Sequence, residues 1–253
     1  MQVLISYKKL NMYHLIYIVL SISVCLGGVV NSTYAQPKLK IDCESDFIDI
    51  DNLNNIYVVN QSELSKYNSS GQLLFTYSNR INGEISSIDV TNPLRVLVFC
   101  RESNTITFLN RQLSEITQTI DIYDINGVEA DNACASAQSG FWIYSSINQS
   151  VMLFNNQLTK LQESENLSYW LHADNIKQIK EQNQKLYIVL PERVVVLDLF
   201  GLYLTTIHLT DAKNIKLGKD KISYQKGNKL FYYDLVLKTD VEIPIEYDEY
   251  IFR

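Results

Sequence analysis

Few side chains in this sequence have the type and spacing that chemistry needs. The run Asp49-Ile50-Asp51-Asn52-Leu53-Asn54 spaces oxygen ligands as a calcium loop does. It lacks the central glycine and the closing glutamate of such loops, so its expected role is a turn into Ile56-Tyr57. His172 and His208 have no cysteine or histidine at zinc-ligand spacing. No serine stands in a Gly-x-Ser-x-Gly elbow, and nine scattered glycines form no phosphate-cradling loop. Glu242, Glu246, Asp248 and Glu249 lie together near the C-terminus and are expected to form a solvated tail rather than a carboxylate pair.

Cys43, Cys100 and Cys134 match no zinc pattern, and at most one disulfide could join two of them. Cys100 follows Val98-Phe99 and Cys134 lies between Ala133 and Ala135, so both are expected to be buried, inert thiols. Two aromatic pairs remain. Trp142 sits inside the apolar run that starts at Phe141 and is expected in the core. Tyr169-Trp170 lies between such runs, where Trp170 could line a carbohydrate- or protein-binding face. The residue types therefore predict no catalytic residue, no cofactor site and no metal site.

The elements that would position any site are short strands. Ile56 to Val59, Val96 to Phe99, Phe141 to Tyr144, Leu186 to Leu190 and Ile222 to Tyr224 are brief runs rich in β-branched and aromatic side chains. Tyr169 to Lys185 is longer and could offer a helical face, but reads as a loop and a strand. A second set of runs ends at Asn68, Asn110, Asn155, Asp198 and Asp234, each followed by a turn and another strand. An Asn or Asp side chain can bond to the backbone two residues on, which closes a tight hairpin. These five anchors recur at a period of roughly 40 residues, the signature of propeller blades. In the first unit the strands are expected at Phe47 to Asp51, Ile56 to Val59, Leu64 to Asn68 and Gln72 to Tyr77. In the second they are expected to begin near Ile85, Val96, Thr105 and Glu115.

The fold class is thus all-β, a β-propeller of about five four-stranded blades, with a sixth as the alternative. A β-sandwich would alternate more strictly and show no such period. Lys38 to Asp42 could lend an outer strand to the last unit.

The first residues look like a leader. Lys8 and Lys9 precede an uncharged apolar run, Leu15 to Val30, and Thr33-Tyr34-Ala35 puts small residues where signal peptidase reads. Residues 1–35 are therefore expected to be a signal peptide and 36–253 the propeller domain. An anchor helix is the rival reading, and Ile22-Ser23-Val24-Cys25 is a weak lipobox. The alanine-type cleavage site favours removal, so the mature form is expected to have no membrane span. The net charge is −6, and losing Lys8 and Lys9 leaves the remainder more acidic. Such a surface opposes binding to nucleic acid or anionic lipid. The expected location is periplasmic or otherwise extracytoplasmic, in association with the outer membrane at most.

Asp51-Asn52-Leu53-Asn54-Asn55-Ile56-Tyr57-Val58-Val59, followed by Leu64 to Gly71, resembles the blade motif of NHL-type propellers. The likeness decays in later blades, where only Gly201 keeps the turn glycine. Ile85 to Phe99 and Ile106 to Asn110 resemble a family of exported β-propellers from bacteria with type 9 secretion. That resemblance implies a steric role, in which the propeller closes the periplasmic mouth of a large outer-membrane translocon barrel. The expected function is accordingly a non-enzymatic module that binds an envelope protein. A secreted enzyme or carbohydrate-binding propeller is the alternative. It would need carboxylates or histidines converging at equivalent blade positions, where the chain reads mostly as Val, Ile and Ser.

Overall fold

The computed structural model describes residues 15–19, 38–172 and 176–243. Apart from Leu15–Val19, the expected leader lies outside the described residues, as do Cys25, Glu246, Asp248 and Glu249. The described residues form two compact units, one ending at Ser78 and the other beginning at Asn79.

In the first unit, β1 (Leu15–Val19) pairs antiparallel with β2 (Lys38–Asp42). A four-stranded sheet follows: β3 (Phe47–Ile50), β4 (Ile56–Asn60), β5 (Glu63–Tyr67) and β6 (Leu73–Ser78). These bounds match the expected ones to within a residue or two. Ile41, Ile48, Ile56 and Val58 are buried together, with Cys43, Ile50 and Tyr67 packed against them.

The second unit holds four more such sheets. The second blade is β7 (Ser87–Asp89), β8 (Val96–Cys100), β9 (Thr105–Leu109) and β10 (Ile120–Asp121), followed by a short helix, α1 (Ile122–Asn126). The third is β11 (Asn132–Ser136), β12 (Gly140–Ser145), β13 (Ser150–Asn155) and β14 (Lys160–Glu163). After α2 (Ser168–Leu171), the fourth is β15 (Gln178–Gln182), β16 (Lys185–Leu190), β17 (Arg193–Asp198) and β18 (Tyr203–His208). The fifth is β19 (Lys213–Leu217), β20 (Lys221–Lys226), β21 (Lys229–Asp234) and β22 (Thr239–Ile243). Every sheet is an antiparallel meander in chain order.

Burial explains the strand composition. All five residues of β8 and of β9, and all six of β12, are buried, because these strands are covered on both faces. Their side chains fill the spaces between sheets: one core joins blades two and three, another three and four, a third four and five. The outer strands are largely exposed, as in β14 and β22.

Two expectations are corrected. Lys38–Asp42 pairs with Leu15–Val19 and not with the last blade. That blade draws its outer strand, Thr239–Ile243, from its own stretch of chain, so its meander is complete without a donated strand. The fourth strand of the second blade does not start near Glu115, which makes only an isolated bridge to Leu109. Pairing resumes at Ile120–Asp121, since an edge strand bonds on one side only and tolerates the break.

The anchors work as expected. The side-chain oxygens of Asn68, Asn110, Asn155 and Asp198 each accept backbone N–H bonds from the residues two and four positions on, at 2.8–3.0 Å. The left-handed geometry falls on the third residue after the anchor: Gly71, Leu113, Leu158 and Gly201, with φ of 78°, 59°, 61° and 79°. Asp234 closes a longer version, accepting from Val236 and Leu237.

Candidate protein-interaction face

The sequence candidates resolve into structural roles first. Asp51 is buried, and its carboxylate accepts from the N–H of Leu53 and Asn55, the Asn55 side chain and the Tyr57 hydroxyl. With Asn54 left-handed, this is the anchor turn again, placed between β3 and β4. Cys100 and Cys134 are buried, Cys43 partly so, and none of the three is in a disulfide. Burial pushes the Cys100 thiol up to about 11, and burial followed by the nearby Asp89 charge pushes Cys134 well above its usual range. His172 is the left-handed residue that ends α2, and His208 ends β18, both exposed. Glu242 is exposed and ion-paired with Lys229 at 2.9 Å. No group of three or more His, Cys, Asp or Glu among the described residues could hold a metal ion. Trp142 is buried, with its indole N–H donating to Glu181 at 2.7 Å. Trp170 is half-buried, stacks on Tyr203 at 4.9 Å, and meets the exposed Tyr169 edge-on.

The innermost strands hold what the sequence reading missed. Asp89, Cys134, Lys180 and Lys216 occupy one register in the four blades of the second unit, opposite Leu97, Trp142, Tyr187 and Ser223. Asp49, opposite Tyr57, holds the same register in the first blade. The expectation of Val, Ile and Ser at such places is therefore wrong at this register. The acids nearby reach the next sheet: Asp89 accepts from the N–H of Ala135 as well as from Thr91 of its own loop, and Glu181 accepts from Ala137 and Trp142. Each satisfies a backbone or indole donor that burial would otherwise leave bare. Aligning the chain on its Asx anchors would have found this register, because the polar residue recurs at a nearly fixed distance before each anchor.

In a meander, the turn from second to third strand and the link to the next sheet leave from the same end. Within the second unit this end is a hydrogen-bonded layer of loops. Before each inner strand of the first three blades a side chain reaches a turn N–H fifteen residues on: Asp46 to Gln61, Ser86 to Arg101 and Asp131 to Ser146. The Asn104 side chain exchanges two bonds with the backbone of Ala130, and Ser103 Oγ donates to the carbonyl of Asn82. The Arg101 guanidinium donates to the carbonyl of Asp131. Further round, Asn166 donates to the Asn148 carbonyl, and Arg193 to that of Leu171. On this layer large apolar side chains stand in solvent: Ile81 is 96% exposed, Ile147 71%, Tyr169 75% and Tyr123 58%.

Five four-stranded antiparallel meanders, one per sequence period, define the class: an all-β, five-bladed β-propeller. Solved propellers are what the chain is similar to. Streptogramin B lyase matches over 83% of this chain and 76% of its own, at 13% identity and a TM-score of 0.56. A catalytically inactive virginiamycin B lyase from Staphylococcus aureus with quinupristin matches over 96% and 83%, at 11% identity and 0.56. The WD40 domain of Neurospora crassa Pan2 matches over 79% of this chain, at 11% identity and 0.54, and the chain spans 65% of that domain. At such identities the likeness shows the fold alone. No protein-family profile and no curated protein sequence matches the chain.

Proposed function

We propose that this propeller is a non-enzymatic, extracytoplasmic module that binds another protein. The observation that carries this reading is the loop layer of the second unit, where loop-to-loop hydrogen bonds fix segments that present Ile81, Tyr123, Ile147 and Tyr169 to solvent. Exposed aromatic and aliphatic side chains on a rigid frame lose little entropy when a partner covers them. The buried acids Asp51, Asp89 and Glu181 are each occupied with backbone or indole donors, which supports a structural use for them. The leader-like first residues support export, and no helix among the described residues is long and apolar enough to cross a membrane.

The finer proposal is that the partner is the outer-membrane translocon barrel of type 9 secretion, whose periplasmic mouth the propeller plugs. Its support is the resemblance of Ile85 to Phe99 and Ile106 to Asn110. Those residues form most of the three inner strands of the second blade and are largely buried, so what they share with that family is a blade core rather than a contact surface. Purification of the tagged chain from its native envelope in mild detergent tests both levels. A large outer-membrane barrel recovered in stoichiometric amount supports the plug. A different envelope protein leaves the module and removes the plug, and a soluble monomer recovered alone removes both.

A lyase or sugar-binding propeller is the second reading, favoured by the polar register of Asp89, Cys134, Lys180 and Lys216 on the innermost strands. Loss of a binding or turnover signal in Lys180→Met and Lys216→Met variants would identify it.

A further inference from the structure

The loop layer of blades two and three has a charge character that the rest of the second unit lacks. Between Lys66 and Lys160 the chain contains no lysine. On the loops of these two blades Glu84, Glu102, Asp124 and Glu129 are all exposed, and Asp121 beside them caps α1. The arginines do little to offset them. Arg95 lies at the opposite end of its blade, over the Phe108 ring at 3.5 Å and bonded to the Gly140 carbonyl. The Arg101 guanidinium is turned to the neutral Asp131 carbonyl and keeps its charge, so Arg80 and Arg101 are the two cations of these loops, outnumbered by the acids.

Three of the exposed apolar side chains, Ile81, Tyr123 and Ile147, stand among these acids. The segments that bear them form one connected surface. Ser103 bonds to Asn82, Gly83 lies against the Glu102 carboxylate, Asn104 bonds to Ala130, and Asp131 bonds to Ser146. The opposite end also exposes apolar residues, among them Phe200 and Leu237. There the charges are of both signs and partly neutralised, as in Lys160 with Glu163 and Lys219 beside Asp220. Apolar anchors inside a predominantly acidic fringe fit a partner that brings apolar contact together with the opposite charge.

We propose that the loop face of blades two and three docks a lysine- or arginine-bearing protein segment, whose apolar side chains cover Ile81, Tyr123 and Ile147 while its cations meet the acidic fringe. This rests on the reading of the chain as a protein-binding module and adds the face and the partner's chemistry.

The test uses the whole mature chain and two synthetic peptides that alternate leucine or tyrosine with arginine in one and with glutamate in the other. Binding is followed by amide exchange at physiological salt. The arginine peptide slows exchange in 80–84, 101–104, 121–131 and 146–147, and the glutamate peptide does not. The double variant Ile81→Ser, Ile147→Ser loses at least about tenfold in affinity. The variant Glu84→Gln, Glu102→Gln, Glu129→Gln loses a similar factor together with most of its salt dependence. All five positions are at the surface, and an unchanged urea midpoint shows that the variants fold. Equal binding of both peptides, protection confined to the β17–β18 and β21–β22 turns, absence of binding, or unaltered affinity in the variants overturns the proposal. If the envelope partner binds these variants as it binds the parent chain, this face is wrong and the module stands. If there is no envelope partner at all, the module itself falls.

Discussion

At the scale of single residues, the chemistry of this chain is turned inward. Glu181 shows how: its two oxygens take the N–H of Ala137 and the indole N–H of Trp142, so one side chain of blade four completes two donors of blade three. Glu181→Ala leaves the Trp142 indole N–H bare in the core and is expected to cost about 1–3 kcal/mol, read from the urea midpoint. Glu181→Gln keeps one acceptor and should cost less. The thiols follow the same logic. In the folded chain a thiol reagent at neutral pH should label Cys43, while Cys100 and Cys134 react only after unfolding, because burial disfavours both thiolates. Asp234 is acid-sensitive in a defined direction. The N–H groups of Leu237 and Val236 hold its carboxyl below the ordinary 3.8. A depressed folded pKa contributes order above the unfolded value and loses it as pH falls through the folded value. Amide protection in the 234–238 turn should therefore decline only below about pH 4, and Asp234→Asn should abolish that dependence.

At the scale of elements, turns and close approaches set the register. A Cβ at Gly140 would run into the Phe154 carbonyl across the β12–β13 pair. One at Gly201 would meet Ser164 at 2.7 Å with φ already at 79°. Gly140→Ala and Gly201→Ala should each destabilise the fold by about 3 kcal/mol or more, seen as lower thermal and urea midpoints. These anchors also explain what was legible in the sequence. Asn68, Asn110, Asn155, Asp198 and Asp234 could be read because a turn that depends on one side-chain oxygen must keep that oxygen, and their period carried the blade count with it. The runs Val96 to Phe99 and Phe141 to Tyr144 were legible because burial on both faces leaves no polar position. Helix α1 was not: its five residues depend on Asp121 capping Tyr123 and Asp124 and on Gly127 ending it, a pattern too short to stand out. The polar register of the inner strands was hidden for a related reason. Asp89, Cys134, Lys180 and Lys216 differ in type, so no local pattern marks them, and their equivalence emerges only when the units are aligned on their anchors, as the strand pairing does. The loop face drew on Tyr169-Trp170 alone in the sequence, whereas Ile81, Tyr123 and Ile147 gave no local sign of exposure.

At the scale of the molecule, the inner polar groups of the propeller tie neighbouring sheets together, and the loop end is the face proposed to bind another protein. Blades two to five share three continuous cores, so the loops stand on a frame that resists deformation. The measurement that tests this most directly is photo-cross-linking in the native envelope. A photoreactive phenylalanine analogue is placed at position 81 or 147 on the loop face, and at 237 on the turn of the last blade. One discrete cross-linked partner is expected from positions 81 and 147 and none from 237. A cross-link from 237 alone, or none from any position while the protein is folded and exported, would contradict this reading.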